Sequence, residues 1–328
     1  MPPSFKTFFQ SSGTSIIGFV ALGFFIGLAT THFYTPKCIS PFALLNAVEV
    51  CGKPDVIKKA DYGVLRNTLE TYLATEKTAG DIASTSVYFR DLEDGPTFGI
   101  HEDADFAPAS LLKLPMALFY LTQAEDNPGS LNEQIAVARP TWHFDSYYPP
   151  SQTVDPTVPH SVEDLLAHMI TYSDNDAYGV LQTHVYETGQ QGAVRQTFLE
   201  LGFIDPRTIN DEVMSVRQYA GIFRALYNSS FLDNTYSEKV LEWLSKSDFT
   251  QGLRGGVPSG VVIAHKFGER FEANGVKQLH DCGVVYYPGN PYLLCVMTRG
   301  TNFDVLAGVI EHISGAVYAE VDSRRLSN

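Results

Sequence analysis

Apolar residues recur at helical spacing in Val64, Leu65, Leu69, Tyr72 and Leu73, then switch to a two-residue alternation from Ser84 to Phe89. Asp94-Gly95-Pro96 turns the chain and Thr97 to Ile100 returns, which predicts a β-hairpin. A densely apolar run, Leu111, Leu112, Leu114, Met116, Ala117, Leu118 and Phe119, predicts a buried helix that opens on Ser110. From about Asp126 to Pro159 the chain is loop-rich and carries Trp142, His143, Phe144, Tyr147 and Tyr148. These rings either wall a cleft or pack as an ordinary surface loop. Ser161-Val162-Glu163-Asp164 reads as a capping box, followed by one apolar face of Val162, Leu165, Leu166, Met169 and Ile170. That helix ends at Thr171-Tyr172, with Ser173-Asp174-Asn175 in the turn after it. Ala177 to Tyr186, Ala193 to Leu201, Ser215 to Tyr227 and Ser237 to Leu244 are helical in pattern. Val261 to Phe267, Gly283 to Tyr287 and Tyr292 to Thr298 are strand-like, and Tyr287-Pro288-Gly289-Asn290-Pro291 is a hairpin turn. A last apolar helix, Val305 to Val317, closes the pattern.

The most apolar segment lies earlier, between Ser15 and Thr31, with no charge between Lys6 and Lys37. With its flanks it reaches about 20 residues, enough to span a bilayer. Lys6 precedes it without any acidic residue, which orients the N-terminus to the cytoplasm. The favoured reading is a signal-anchor over residues 15–33, with 1–14 as a cytoplasmic tail and the remainder outside the cytoplasm. Cleavage after Ala29, following Gly27-Leu28-Ala29, is the competing reading, and a buried soluble helix is a third. Residues 34–60, with Pro36, Pro41 and Pro54 and no sustained period, read as a linker. The folded domain is expected over 61–322, and 323–328 as a tail. Cys38 and Cys51 can close a small loop in an oxidising compartment, whereas Cys282 and Cys295 read as separate buried thiols.

A hydrophobic fraction of 44% and a charged fraction of 18% are those of an ordinary globular protein. The formal charge of −14 comes with no Lys/Arg run, which argues against nucleic acid as a partner. No Cys/His spacing indicates a metal site, and no cofactor is expected. Nothing in the sequence sets an oligomeric state.

Chemistry enters at Ser110-Leu111-Leu112-Lys113. Residues three apart share a helix face, so the Lys113 amine can stand beside the Ser110 hydroxyl. Serine is a poor nucleophile until a base or a deprotonated amine activates it. A desolvated lysine has a lowered pKa and can take that part. A helix N-terminus adds N–H donors where an oxyanion develops. Ser-x-x-Lys alone occurs about once by chance in a chain this long, so an N-cap serine with a snorkelling lysine explains it equally well in isolation. Two further motifs follow in order, Ser173-Asp174-Asn175 and Lys266-Phe267-Gly268. Their joint occurrence is far rarer than any one of them.

In these motifs, and in Phe106-Ala107-Pro108-Ala109 before Ser110, Leu165 to Tyr172 before Ser173, Glu269 after Gly268, and His280-Asp281-Cys282-Gly283, the chain resembles the class A β-lactamase-related serine hydrolases. The resemblance covers 61 to 322. It implies an α/β fold of α+β type: a three-layer sandwich with a five-stranded antiparallel sheet built from both ends of the domain (61–105 and 251–322) and an inserted helical lobe (106–250). It implies that Ser110, Lys113 and Ser173 are catalytic, that Asn175, Lys266 and Gly268 bind substrate, and that the backbone N–H groups of Ser110 and Glu269 form the oxyanion hole. Lys266 would supply positive charge for a substrate carboxylate, and Gly268 would let substrate approach the strand. The implied substrate is a β-lactam or a related peptidoglycan-derived amide.

Two departures change the expectation. Phe267 stands where the family has Thr or Ser, so one hydroxyl donor to a substrate carboxylate is missing. The segment from Leu201-Gly202 to Met214-Ser215 is short and lacks the Glu-x-x-Leu-Asn pattern that carries the family's deacylating Glu. Glu212 is the candidate stand-in, set against a charge at a helix N-terminus. The expected activity is acylation of Ser110 with slow hydrolysis. The alternatives are a D,D-peptidase or other acyl hydrolase, and a penicillin- or peptidoglycan-binding sensor with little turnover.

Overall fold

The computed structural model describes residues 40–46, 61–93, 95, 97–137, 146–203 and 213–326. The proposed span at 15–33, Cys38, Cys51, Trp142, His143, Phe144 and Glu212 lie outside these residues. No helix among the described residues is long and apolar enough to cross a membrane.

The chain from Phe42 onward forms one compact unit. Helix α1 (Gly63–Ala79) leads into the hairpin β1 (Ser84–Asp91) and β2 (Thr97–Ile100). A 3₁₀ turn over Ala109–Leu112 runs directly into α2 (Lys113–Asp126). A short 3₁₀ turn at Pro128–Asn132 and a small antiparallel pair, β3 (Gln134–Ala136) and β4 (Pro159–Ser161), follow. Then come α3 (Val162–Thr171), α4 (Asn175–Glu187), α5 (Gln191–Glu200), α6 (Val216–Tyr227) and α7 (Asn234–Ser245). Strands β5 (Ile263–Phe271), β6 (Lys277–Val285) and β7 (Tyr292–Gly300) return to the sheet, and α8 (Phe303–Leu326) ends the unit.

The five long strands form one antiparallel sheet in the order β2-β1-β7-β6-β5. Side chains alternate across it. On β7, Leu293, Cys295 and Met297 join the core under the helical lobe, while Tyr292, Leu294 and Val296 join the core under α1 and α8. Covered on both faces, β7 reads as a continuous apolar run rather than an alternation. Helix α2 is buried from Lys113 to Leu121, so it is the hub of the helical lobe rather than a surface helix.

The structure differs from the expected elements in several places. Strand β6 begins at Lys277, not near Gly283, because Gln278, His280 and Asp281 are buried polar residues that interrupt the apolar pattern. The Ser161 hydroxyl caps α3 by accepting from Asp164 N (3.1 Å), but the reciprocal half of the expected capping box is not formed. The Asp164 carboxylate pairs with His160 Nδ1 instead. The complete box is at Ser215 and Gln218, opening α6. Finally, Cys282 and Cys295, expected as separate thiols, are joined by a disulfide. They are register partners on β6 and β7, with Cα atoms 4.0 Å apart and both side chains facing the helical lobe. Part of the segment read as a linker is seated on the fold. Leu45 is buried, Glu238 accepts from Ala43 N (2.8 Å) and Leu44 N (3.0 Å), and Asn46 N donates to Tyr227 O (2.8 Å).

Candidate active site

The approach to Ser110 is clamped from three sides. Phe106 and Met214 exchange both backbone hydrogen bonds, at 2.9 and 2.8 Å. Ala107 N donates to Gln278 Oε1 (3.1 Å), and Ala107 O accepts from His280 Nε2 (2.9 Å). Burial holds His280 down at about 4, so it stays neutral with its single ring proton on Nε2. The polar residues that hid β6 in the sequence are therefore the ones that fix the strand to the nucleophile's approach. Tyr219 donates to Leu111 O (3.1 Å) from the helical side.

Ala109 and Ser173 both have positive φ, at 51° and 54°. Non-glycine residues held there are strained by about 1–2 kcal/mol, and such strain clusters at functional sites. Both residues line the same cleft, a cavity of about 620 Å³, together with Ser110, Lys113, Asn175, Tyr148, Phe267, Glu269 and Arg270.

Lys113 is 2% exposed. Its Nζ donates to Ser173 O (2.5 Å) and Asn175 Oδ1 (2.6 Å) and lies 3.1 Å from Ser173 Oγ. The expected contact with Ser110 Oγ is not a hydrogen bond in this resting arrangement. Burial, and then the neighbouring Lys266 charge, hold Lys113 well below the usual lysine range. The Ser173 carbonyl, the Asn175 amide oxygen and the Ser173 hydroxyl thus surround the Lys113 amine. Lys266, 1% exposed, donates to the same Ser173 Oγ (2.8 Å) and to Phe267 O (2.8 Å). Burial pulls Lys266 down to about 7. Ser173 is thus the junction of both amines. Asp174 holds it there: fully buried, it accepts from Asp176 N and Val154 N, both at 2.8 Å, and caps α4. Because Lys113 takes the Asn175 oxygen, the Nδ2 end is left for the cleft.

Lys266 was expected to face the cleft. It is instead a buried donor to Ser173 and is not among the residues lining the cavity. Phe267 stacks on Phe249, with ring centroids 4.2 Å apart, and meets Tyr148 edge-on at 6.3 Å. Gly268 has a packing use beside the one expected. A Cβ there would lie 3.1 Å from Leu111 N and 3.2 Å from Pro108 O, so the missing side chain lets β5 press against the turn that carries Ser110. Gly268→Ala is therefore expected to push that turn away. The overpacking is worth about 1–3 kcal/mol of stability. Acylation should slow by roughly 10²-fold through misplacement alone. Thermal melting and the rate of adduct formation check the two effects separately.

The side chain of Glu269, whose backbone alone was singled out from the sequence, is a principal feature of the cleft. Its Oε1 accepts from Ser146 Oγ (2.5 Å) and Tyr147 N (2.9 Å), and Tyr148 N lies 3.3 Å from each carboxylate oxygen. Tyr148 OH in turn donates to Phe303 O (3.3 Å) and reaches Gln251 Oε1 (3.1 Å). Tyr147 and Tyr148 were visible as aromatics in a loop-rich stretch. Their attachment to Glu269 had no local sequence signal.

A model of the beta-lactamase enzyme family matches residues 65–321. Among curated proteins, the extended-spectrum beta-lactamase PER-1 of Pseudomonas aeruginosa is 24% identical over 213 residues, 59% of this chain and 68% of its own. Among solved structures, PBP-A superposes with a TM-score of 0.66 at 20% identity, covering 82% of this chain and 100% of its own. TLA-3 extended-spectrum beta-lactamase gives 0.67 at 18% identity, covering 80% and 99%. A beta-lactamase from Chitinophaga pinensis gives 0.66 at 20% identity, covering 79% and 100%. With the match running through nearly the whole described unit, and the sheet order and helical lobe in agreement, the chain belongs to the beta-lactamase enzyme family of serine hydrolases.

Proposed function

We propose that this protein is a membrane-anchored, extracytoplasmic serine acyl-hydrolase that forms an acyl-enzyme on Ser110 from a strained lactam or a cell-wall peptide amide. The observation that carries the reading is the meeting of two buried amines, Lys113 and Lys266, on one hydroxyl, Ser173, in the cleft that holds Ser110. Ser110 Oγ attacks the carbonyl carbon and its proton passes to Lys113 Nζ. The oxyanion collects at the backbone N–H groups of Ser110 and Glu269. The C–N bond breaks as Ser173 gives its proton to the leaving nitrogen and is resupplied by Lys113. Lys266 keeps Ser173 polarised, and the Asn175 amide holds a carbonyl of the substrate's side chain.

Hydrolysis of the resulting ester needs an oriented water. Glu269, the one carboxylate among the described residues lining the cleft, has Oε1 occupied by Ser146 and Tyr147. This favours a long-lived acyl-enzyme, and with it a second reading as a peptidoglycan-binding sensor or slow D,D-peptidase. A PBP-A variant has been solved as an acyl-enzyme complex with penicillin G, which supports the same kind of intermediate here. The anchor rests on the apolar segment at 15–33 and Lys6, with cleavage after Ala29 as its alternative. The Cys282–Cys295 disulfide supports an oxidising compartment.

The test is intact-mass spectrometry of the protein over time with millimolar penicillin. A stable adduct of penicillin mass is the expected result. Rapid substrate loss without a lasting adduct would make the protein an efficient β-lactamase and move attention to Glu212. Neither adduct nor hydrolysis would overturn lactam recognition.

A further inference from the structure

Three features of the cleft bear on which acyl donors it admits. Lys266, the cation expected to meet a substrate carboxylate, has its amine turned to Ser173 Oγ and Phe267 O and does not line the cavity. Phe267 puts a buried aromatic ring, stacked on Phe249, where a hydroxyl donor was expected. Glu269 places a fixed carboxylate on the wall of the same cavity, held by Ser146 Oγ and Tyr147 N. The cleft thus already contains an anion, and its donors at that end are occupied by it.

We infer that Glu269 is a specificity-determining residue that sets the cleft against acyl donors bearing a carboxylate beside the scissile amide and in favour of neutral ones. The inference rests on the acyl-enzyme reading above and narrows its substrate class. Two like charges in a half-buried cleft repel far more than in water. An anionic substrate must also compete for the Ser146 and Tyr147 donors. A neutral ester or amide of the same skeleton meets neither obstacle. Arg270, exposed on the neighbouring position of β5, is a cation on the cavity wall that opposes this preference.

The test measures equilibrium binding by calorimetry of benzylpenicillin and its methyl ester. The protein carries Ser110→Ala so that no acylation intervenes, with and without Glu269→Gln. Glutamine keeps an acceptor for Ser146 and Tyr147 and removes only the charge. The expected result is that the ester binds about tenfold more tightly than the acid, and that Glu269→Gln brings the two within about twofold. An acid bound as tightly as the ester before substitution would overturn the inference and leave Arg270 as the carboxylate's partner. So would a ratio that Glu269→Gln leaves unchanged, and so would no binding of either compound. Glu269→Ala is the companion variant. If alanine alters the ratio and glutamine does not, the loop rather than the charge selects, which also overturns the inference. Adduct formation on the chain with Ser110 intact reports on the acyl-enzyme reading by itself, so the two can fail separately.

Discussion

Ser110→Ala is expected to abolish the covalent adduct and to lower turnover of any acyl substrate by at least about 10⁴-fold, since removing a nucleophile from an acyl-transfer site costs on the order of 10⁶ in kcat. The expectation depends on whether another hydroxyl can substitute. Ser173 Oγ lies between two amines and is held by the left-handed backbone at its own position. Ser146 Oγ is committed to the Glu269 carboxylate. Ser110 Oγ makes no hydrogen bond within the described residues and sits in the cleft at the start of the turn that leads into α2. Among the described residues it is the cleft serine whose hydroxyl has no hydrogen bond, in the same cavity as the Lys113 amine. Losing it removes no hydrogen bond among the described residues, so thermal stability should change by less than about 0.5 kcal/mol. Mass spectrometry and a melting curve on the same variant make the check. An adduct that persists at Ser173 would move the nucleophile one element along and reverse the roles of the two serines.

Much of the fold was legible because most elements carry local signals. The apolar runs of β1 and β7, the single apolar face of α3 and the Pro288-Gly289 turn were each enough to place an element. Strand β6 was half lost because its buried residues are polar. Gln278 and His280 face Ala107, and Asp281 accepts from His265 Nδ1 (2.9 Å) and Leu253 N (2.9 Å), so no apolar alternation survives. The three-residue strands β3 and β4 are too short for any period to register. The disulfide was recoverable in principle. Cys282 and Cys295 stand equally far from the Pro288-Gly289 turn, and the register of a hairpin about that turn makes them partners. In the site, the serines, lysines and Asn175 were legible as motifs because the chemistry demands those residue types. The burial of Lys266 behind Ser173 and the grip of Glu269 on Ser146 to Tyr148 depend on which surfaces meet in three dimensions. No spacing along the chain encodes that meeting.

Lys113→Met is expected to slow acylation by about 10³-fold, the scale of a general base. It should also cost on the order of 1–3 kcal/mol of stability, because the Ser173 and Asn175 carbonyl oxygens that the buried amine satisfies are left without a donor. The same residue sets the acidic limb of the pH profile. Acylation needs Lys113 neutral and Lys266 charged. Burial lowers both, and the Lys266 charge lowers Lys113 further. As pH rises, loss of the Lys113 proton makes the rate climb. Lys266 then loses its own near 7, Ser173 is no longer polarised, and the rate falls. The profile should therefore be bell-shaped with its alkaline limb near neutrality, the two limbs belonging to the coupled pair. Lys266→Arg keeps the charge at every accessible pH and should carry the alkaline limb upward by more than a unit. Rates of adduct formation across the pH range, in the parent chain and in Lys266→Arg, decide the matter. An alkaline limb that stays where it was would mean that the charge at Lys266 is not what the reaction uses, and that Ser173 is held for Lys113 alone.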